Sequence, residues 1–349
     1  MTFADTKGES NALGTLLAPI DNNRFQSAVR RFHTLFNIYA STSPVPLPAP
    51  GLIITPEIRV QCERYLPIAD VATVFNRLYF VALTYPPIIS STPFHNALSW
   101  ADTFAALPPQ FQFSANPARL LESLLTDSDS LTRFLFASFL PKRFYGGSGR
   151  YPGQQLFVRD WLISRRSRAL RCLDAACGTG EETYGLAHLL SERGFPPAEV
   201  RIDGWTVEPL EVWAATHCRL PHDQHRESQL VQVTSKLSKQ GFLTRIRFHC
   251  IDLTQISFSP EETACRGRYD LIRCNGLLGG PIINNKESLG KTAGNLAQLL
   301  APGGILLAAD NFHGGWKQKC PQGELRALFE MNGLRIFEAG EGIGGLKPY

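Results

Sequence analysis

Apolar residues change their spacing near residue 165, and that change divides the chain. Ahead of it they recur every three or four positions. Phe25, Val29, Phe32, Leu35 and Phe36 line one side of a helix predicted over 21–39. Another helix is predicted from Pro56, where Thr55 supplies the cap and proline takes the first helical position. Others are predicted over 69–84, 117–125 and 130–140. In the last of these, Phe134, Phe136 and Phe139 with Leu131 and Leu135 suit a helical core, compatible with a cap that closes over a site. Proline-rich joints separate these helices. SPVPLPAPG at 43–51 predicts a stiff extended linker, because each proline fixes its own φ and biases the residue before it away from helix. Beyond residue 165 short apolar runs alternate with amphipathic stretches. Strands are predicted over 170–175, 200–207, 246–251, 269–274, 304–309 and 334–339, and helices over 182–193, 210–217, 287–300 and 323–331. Strand–helix alternation of this kind predicts an α/β fold, a doubly wound and mostly parallel sheet covered by helices on both faces. The expected domains are an all-helical one over 1–143 and an α/β one over 144–349.

Composition narrows the function without naming it. A chain that is 44% hydrophobic and 19% charged buries a core rather than staying disordered. Its net charge of +4 is spread along the chain, so no nucleic-acid partner is expected. The apolar stretch 71–89 is broken by Asn76, Arg77 and prolines, and MTFADTKGESNALG carries acids without an apolar core. Neither membrane insertion nor a secretory signal is expected. The 8 cysteines form no C-x-x-C pair, which argues against a zinc ribbon or disulfide scaffold and for a reducing cytoplasm. His217, Cys218, His222, Asp223 and His225 cluster in a predicted loop, but no fourth ligand falls in register, so no metal is expected.

Candidate chemistry begins where the first strand ends, at LDAACGTGEE. Gly178 and Gly180 flank Thr179 in a tight turn, where the missing Cβ lets a ligand approach the backbone. A dinucleotide turn would carry a third glycine, and Thr183 stands there instead. Glu181 follows the second glycine. A carboxylate is unwelcome beside a pyrophosphate and suited to an ammonium or sulfonium group. With Asp174 at the D-x-x-x-G-x-G spacing, the segment resembles that of class I S-adenosylmethionine-dependent methyltransferases. The resemblance implies a Rossmann-like fold, S-adenosyl-L-methionine as cofactor, and backbone contacts to it around Ala176, Gly178 and Gly180. Glu208, at the tip of the next strand, can accept both ribose hydroxyls; as the residue before Pro209 it also suits a helix N-terminus. Asp252 and Leu253 follow the third strand where members of the class contact the adenine amino group. After the fourth strand stands Cys274-Asn275-Gly276-Leu277, in place of the Asn/Asp-Pro-Pro-Tyr/Phe of enzymes that methylate base or glutamine nitrogens. Pro302, Gly303 and Gly304 predict a helix-to-strand turn.

Over about 144–349 the chain is similar to the chemotaxis-receptor methyltransferases, the CheR group. The similarity lies in Gly180-Glu181-Glu182-Thr183-Tyr184, in Tyr269-Asp270-Leu271-Ile272-Arg273-Cys274-Asn275, and in an end soon after the last strand. It implies that Glu181 holds the methionine ammonium, Glu208 the ribose, and Asp252 and Asn275 the adenine region, with Cys274 also among the cofactor-binding residues. It also makes Arg150, in KRFYGGSGRYPGQQ with Tyr145 and Tyr151, the counterpart of an arginine that reaches the cofactor pocket. An arginine there can hold the cofactor carboxylate, whereas a plain linker would pack its aromatics on the sheet. Arg150, Tyr151 and His313 are the catalytic candidates, His313 as a base beyond the fifth strand or else a loop histidine. His249, within a strand, is expected to be structural. The N-terminal helices do not resemble the group's receptor-docking domain, so the methyl acceptor stays open between protein and small molecule, a carboxylate among them. The competing functions are a non-catalytic cofactor-binding scaffold and an NAD-dependent dehydrogenase.

Overall fold

The computed structural model describes residues 12–140, 149–165, 169–256, 268–280, 282–309 and 319–349. The chain divides into two compact units, Met1–Lys142 with Leu220–Gln224, and Arg143–Arg219 with His225–Tyr349.

The first unit contains helices α1 (Gln26–Thr42), α2 (Pro56–Tyr65), α3 (Ile68–Ala82), α4 (Trp100–Ala106), α5 (Pro117–Thr126) and α6 (Ser128–Phe139). Their starts follow the capping chemistry of the sequence. Thr55 accepts the Ile58 N–H, Asn116 accepts the Ala118 N–H ahead of Pro117, and Asp127 accepts the Asp129 N–H. The apolar stripes turn inward as one aromatic core: Phe75 stacks on Phe94 at 4.5 Å, and Tyr79 on Phe134 at 6.0 Å. Helix α4 was not expected. It is a short element of 7 residues, started by Ser99, with too few turns to show a period in sequence.

The second unit runs α7 (Pro152–Trp161), β1 (Leu170–Asp174), α8 (Glu181–Glu192), β2 (Val200–Thr206), α9 (Pro209–His217), α10 (Gln224–Lys239), β3 (Ile246–Cys250), β4 (Tyr269–Arg273), α11 (Lys286–Leu299), β5 (Leu300–Ala309), α12 (Gln322–Met331), β6 (Arg335–Ala339) and β7 (Gly342–Leu346). The sheet has 7 strands in the order β3-β2-β1-β4-β5-β7-β6. Strands β1 to β5 pair parallel, while β7 lies antiparallel to β5 and β6. Leu173, Ile272 and Leu306 bury one face with Leu289 and Leu296 of α11 and Phe329 of α12. Cys172, Leu271 and Ile305 bury the other with Leu186 and Leu190 of α8 and Leu230 and Leu237 of α10. Each leucine so enclosed contributes about 1.5–3 kcal/mol. Strand order turns back between β1 and β4, and in such sheets the ligand crevice opens at the carboxyl ends of those strands.

Several expectations need correction. Strand β7 is GIGGL, whose glycines hide any alternation of apolar positions. Pro302–Gly304 is not a turn ahead of β5 but a bulge inside it: Tyr269 pairs with Leu300 and Leu271 with Ile305. Helices α7 and α10 replace parts of the loops expected over 142–155 and around the histidine cluster. Among the described residues, no helix is long and apolar enough to cross a membrane.

Candidate functional site

β1 delivers Asp174 and then the glycine bend, which closes onto the first turn of α8. Gly178 has φ +53° and Gly180 φ +88°, left-handed values that a Cβ would strain. The bend is tied down on both sides, since Cys177 N–H donates to the Trp205 carbonyl at 3.0 Å and Gly180 N–H to the Cys177 carbonyl at 2.9 Å. A Cβ on Gly180 would lie 3.0 Å from the Phe248 ring and 3.1 Å from Ala215, so the second glycine is also a packing requirement. Ala176 remains partly exposed at the apex.

Acids and arginines surround this bend in matched sets. The buried Asp174 accepts the Thr183 hydroxyl at 2.7 Å and lies 3.7 Å from the Arg273 guanidinium. Burial pushes its carboxyl pKa up, against the pull of Arg273 and Thr183. Glu182 accepts the backbone N–H groups of Gly149 at 3.2 Å and Arg150 at 3.3 Å. The same carboxylate stands 3.4 Å from the Arg273 guanidinium and 3.8 Å from that of Arg150. Glu181 accepts the Thr179 hydroxyl at 2.5 Å through one oxygen and the Arg226 guanidinium at 2.5 Å through the other. Burial would raise the Glu181 pKa, but Arg226 and these hydrogen bonds outweigh it and hold the carboxyl below its usual range. Glu211, buried, accepts the Thr206 hydroxyl at 2.5 Å and comes within 3.7 Å of where a Gly178 Cβ would stand.

The remaining candidates take up distinct positions. Glu208 caps α9 by accepting the Leu210 N–H at 3.1 Å, with its carboxylate at the tip of β2. Asp252 is exposed and accepts the N–H and hydroxyl of Thr254 at 2.8 and 2.7 Å. Leu253 is buried, and its carbonyl accepts from the Asn295 amide at 2.6 Å. Cys274 is buried, which drives its thiol pKa up. Asn275 exchanges paired amide hydrogen bonds with Gln154 at 3.0 and 2.8 Å and accepts the Ala309 N–H at 3.0 Å. The Arg150 guanidinium lies over the Tyr151 ring, 5.8 Å from its centroid, and Tyr151 is buried at the start of α7. His313 and Tyr145 fall outside the described residues.

The members of the histidine cluster fall on different elements, with His217 at the end of α9. His222 Nε2 lies 2.9 Å from the Leu140 carbonyl and its ring stacks on Phe136, in the helical unit. His225 is not in a loop; it sits in the first turn of α10. His249 is partly exposed on β3, 3.7 Å from Asp203. Sequence reasoning passed over Glu182, Glu211, Arg226, Arg273 and Gln154. Glu182 stood inside the quoted G-E-E turn, and Arg273 inside an apolar strand where a charge is itself a signal. Arg226 and Gln154 carried none, because their helices were not expected.

Asp174, Glu181, Glu182, Glu208 and Glu211 give the carboxyl ends of β1 and β2 an acidic lining. Arg226 and Arg273 are already engaged by carboxylates. The same pairs compensate Asp174, Glu181 and Glu182, so neither Arg226 nor Arg273 brings an uncompensated positive charge for a diphosphate. No family model matches the chain. The "Probable biofilm formation methyltransferase WspC" of Pseudomonas putida is 29% identical to it over 154 residues, 40% of this chain and 33% of that protein. The chain therefore aligns with about a third of the length of this curated relative. Among solved structures, a TehB-like SAM-dependent methyltransferase from Corynebacterium glutamicum is 14% identical with a TM-score of 0.36, over 64% of this chain and 97% of that one. The 1,6-didemethyltoxoflavin-N1-methyltransferase of Burkholderia thailandensis is also 14% identical, with a TM-score of 0.33 over 56% and 79%. The parallel order β3-β2-β1-β4-β5 with the glycine bend after β1 gives the second unit a Rossmann-like α/β fold, and over 154 residues the chain is similar to this curated methyltransferase.

Proposed function

We propose that the chain transfers a methyl group from S-adenosylmethionine, in the manner of the chemotaxis-receptor methyltransferases, to an acceptor carboxylate. One observation carries the reading: a left-handed glycine bend at the carboxyl end of the central strand is lined with acids, with Glu211 3.7 Å from a Gly178 Cβ. The donor set fits this cofactor. Gly178 leaves the backbone open to close approach while Gly180, packed on Phe248 and Ala215, sets the turn; Glu208 offers a carboxylate for the ribose, and Asp252 and Leu253 border the adenine side with Cys274 and Asn275. Arg150 supplies the cation for the amino-acid carboxylate, over the ring of Tyr151. A curated relative that is itself named a methyltransferase supports the same reading.

When bound, S-adenosylmethionine supplies a methyl group already activated by its sulfonium. The chain's own task is then alignment, which can lower a barrier by about 7–11 kcal/mol when the reacting atoms are held in line. An acceptor carboxylate is ionised at neutral pH and requires no base. Titration calorimetry tests the cofactor: S-adenosylhomocysteine is expected to bind and NADH not to, and the reverse result overturns the proposal. Transfer of a labelled methyl group tests the acceptor, because a carboxyl methyl ester releases methanol in mild base and an N-methyl product does not. Tight binding with no transfer to any protein or small acceptor would favour a cofactor-binding scaffold.

A further inference from the structure

The residue between the two glycines and the acid after them form a closed polar triangle with a helix that the sequence did not announce. Thr179 donates its hydroxyl to Glu181 at 2.5 Å, and Arg226, in the first turn of α10, donates to Glu181 at 2.5 Å and to Thr179 at 2.9 Å. Thr179 is buried, and the side chains of Arg226 and Glu181 are only 14% and 18% exposed. Each oxygen of Glu181 thus accepts one hydrogen bond from the protein. Its charge is answered by a guanidinium at hydrogen-bond distance, where a charge-assisted bond is about twice as strong as a neutral one.

We infer that Arg226 is a positioning residue for the cofactor, and that Glu181 acts through it as the organiser of the glycine bend rather than as the ligand of the methionine ammonium. This rests on the reading of the site as one for S-adenosylmethionine. The triangle spans the bend from side to side: Thr179 lies between Gly178 and Gly180, and Glu181 opens α8. Holding both to one guanidinium fixes the backbone whose left-handed turns make room for the nucleoside. Removing one partner leaves the other's charge enclosed, so either single change should loosen the bend as a whole.

The test compares two probes on the intact protein, S-adenosylhomocysteine and methylthioadenosine, which shares the nucleoside and sulfur but has no ammonium or carboxylate. Arg226→Gln and Glu181→Gln are each expected to weaken both probes, by about tenfold, the scale of losing one hydrogen bond to a charged group. The double substitution is expected to weaken them by about as much as either single one, because the pair acts as a unit. Arg226→Lys is expected to restore part of the affinity. If Glu181→Gln weakens S-adenosylhomocysteine alone, and Arg226→Gln weakens neither probe, Glu181 is an ammonium ligand and the inference is overturned. Should Arg226→Gln fail to fold, judged by circular dichroism, Glu181→Gln with the two probes still decides. A wild-type protein that binds neither probe overturns the methyltransferase reading itself, and this inference with it.

Discussion

At the scale of single residues, Glu208 is asked to do two things that can be separated. It caps α9 through the Leu210 N–H, a role Asp performs as well, and it is proposed to hold the ribose, which depends on reach. Glu208→Asp should therefore leave the unfolding free energy within about 0.5 kcal/mol of wild type, while Glu208→Ala loses about 1 kcal/mol with the cap. Both should weaken S-adenosylhomocysteine by about tenfold or more, the loss of a hydrogen bond to a charged group. Equal affinity in Glu208→Asp and wild type, by calorimetry, would reduce Glu208 to a cap. Glu181 makes a prediction in pH. Its folded-state carboxyl lies below the ordinary 4.5, so the unfolded chain binds the proton more readily there. The stability it contributes is complete above that value and is lost as pH falls through the folded one. Asp174, held above its ordinary 3.8 by burial, has the opposite sign and gains from acid. Urea unfolding between pH 5 and about pH 3 should show a smaller acid loss in Glu181→Gln than in wild type. Parallel curves for the two would mean that Arg226 does not hold the Glu181 charge.

At the scale of elements, the C-terminal hairpin reaches the site through α7. Gly340, between β6 and β7, has φ +63°, and a Cβ there would stand 2.2 Å from Gln154 N and from Gly153 C. Beside it Glu341 accepts the N–H groups of Gly153 and Gln154 at 2.7 and 2.8 Å. Gln154 in turn holds Asn275 at the end of β4. Gly340→Ala should cost about 2–4 kcal/mol, the strain of a left-handed turn added to overpacking that only backbone movement can relieve. It should also weaken S-adenosylhomocysteine, and full affinity in a destabilised Gly340→Ala protein would uncouple the hairpin from the site. None of this chain of contacts was legible in sequence. A reciprocal amide pair between residues 154 and 275 leaves no periodicity, and GIGGL in β7 offers no apolar alternation. The elements that were legible are those whose own residues decide them. Leu170–Asp174 is an apolar strand ended by the bend, and Thr55-Pro56 and Asn116-Pro117 are local helix starts. At the site, Glu208 and the glycines stood out because helix caps and left-handed turns have local signatures. Arg226 and Gln154 matter through distant partners, which one sequence alone does not reveal.

At the scale of the whole molecule, the proposed cofactor contacts come from the ends of β1, β2, β3 and β4 and from the segment before α7. A ligand that joins those parts binds only when the sheet is assembled. It should therefore stabilise the second unit as a whole, by RT ln(1 + [L]/Kd), about 2.7 kcal/mol at 100 times Kd. The unit carries its own reporters. Cys172, Cys177 and Cys274 are buried, and burial pushes the Cys172 thiol up to about 12, so alkylation has to wait for opening. Cys172 lies inside β1, Cys177 in the bend and Cys274 at the end of β4, which separates global from local opening. If the ligand is coupled to the whole sheet, S-adenosylhomocysteine at 100 times Kd should slow labelling of all these cysteines about a hundredfold, read peptide by peptide in a mass spectrometer. Protection of Cys177 alone would mean that the bend opens apart from the strands, and that the ligand stabilises the bend without the sheet. Labelling unchanged at every cysteine, at a concentration where calorimetry reports saturation, would put the binding site outside this unit and remove the glycine bend from the mechanism.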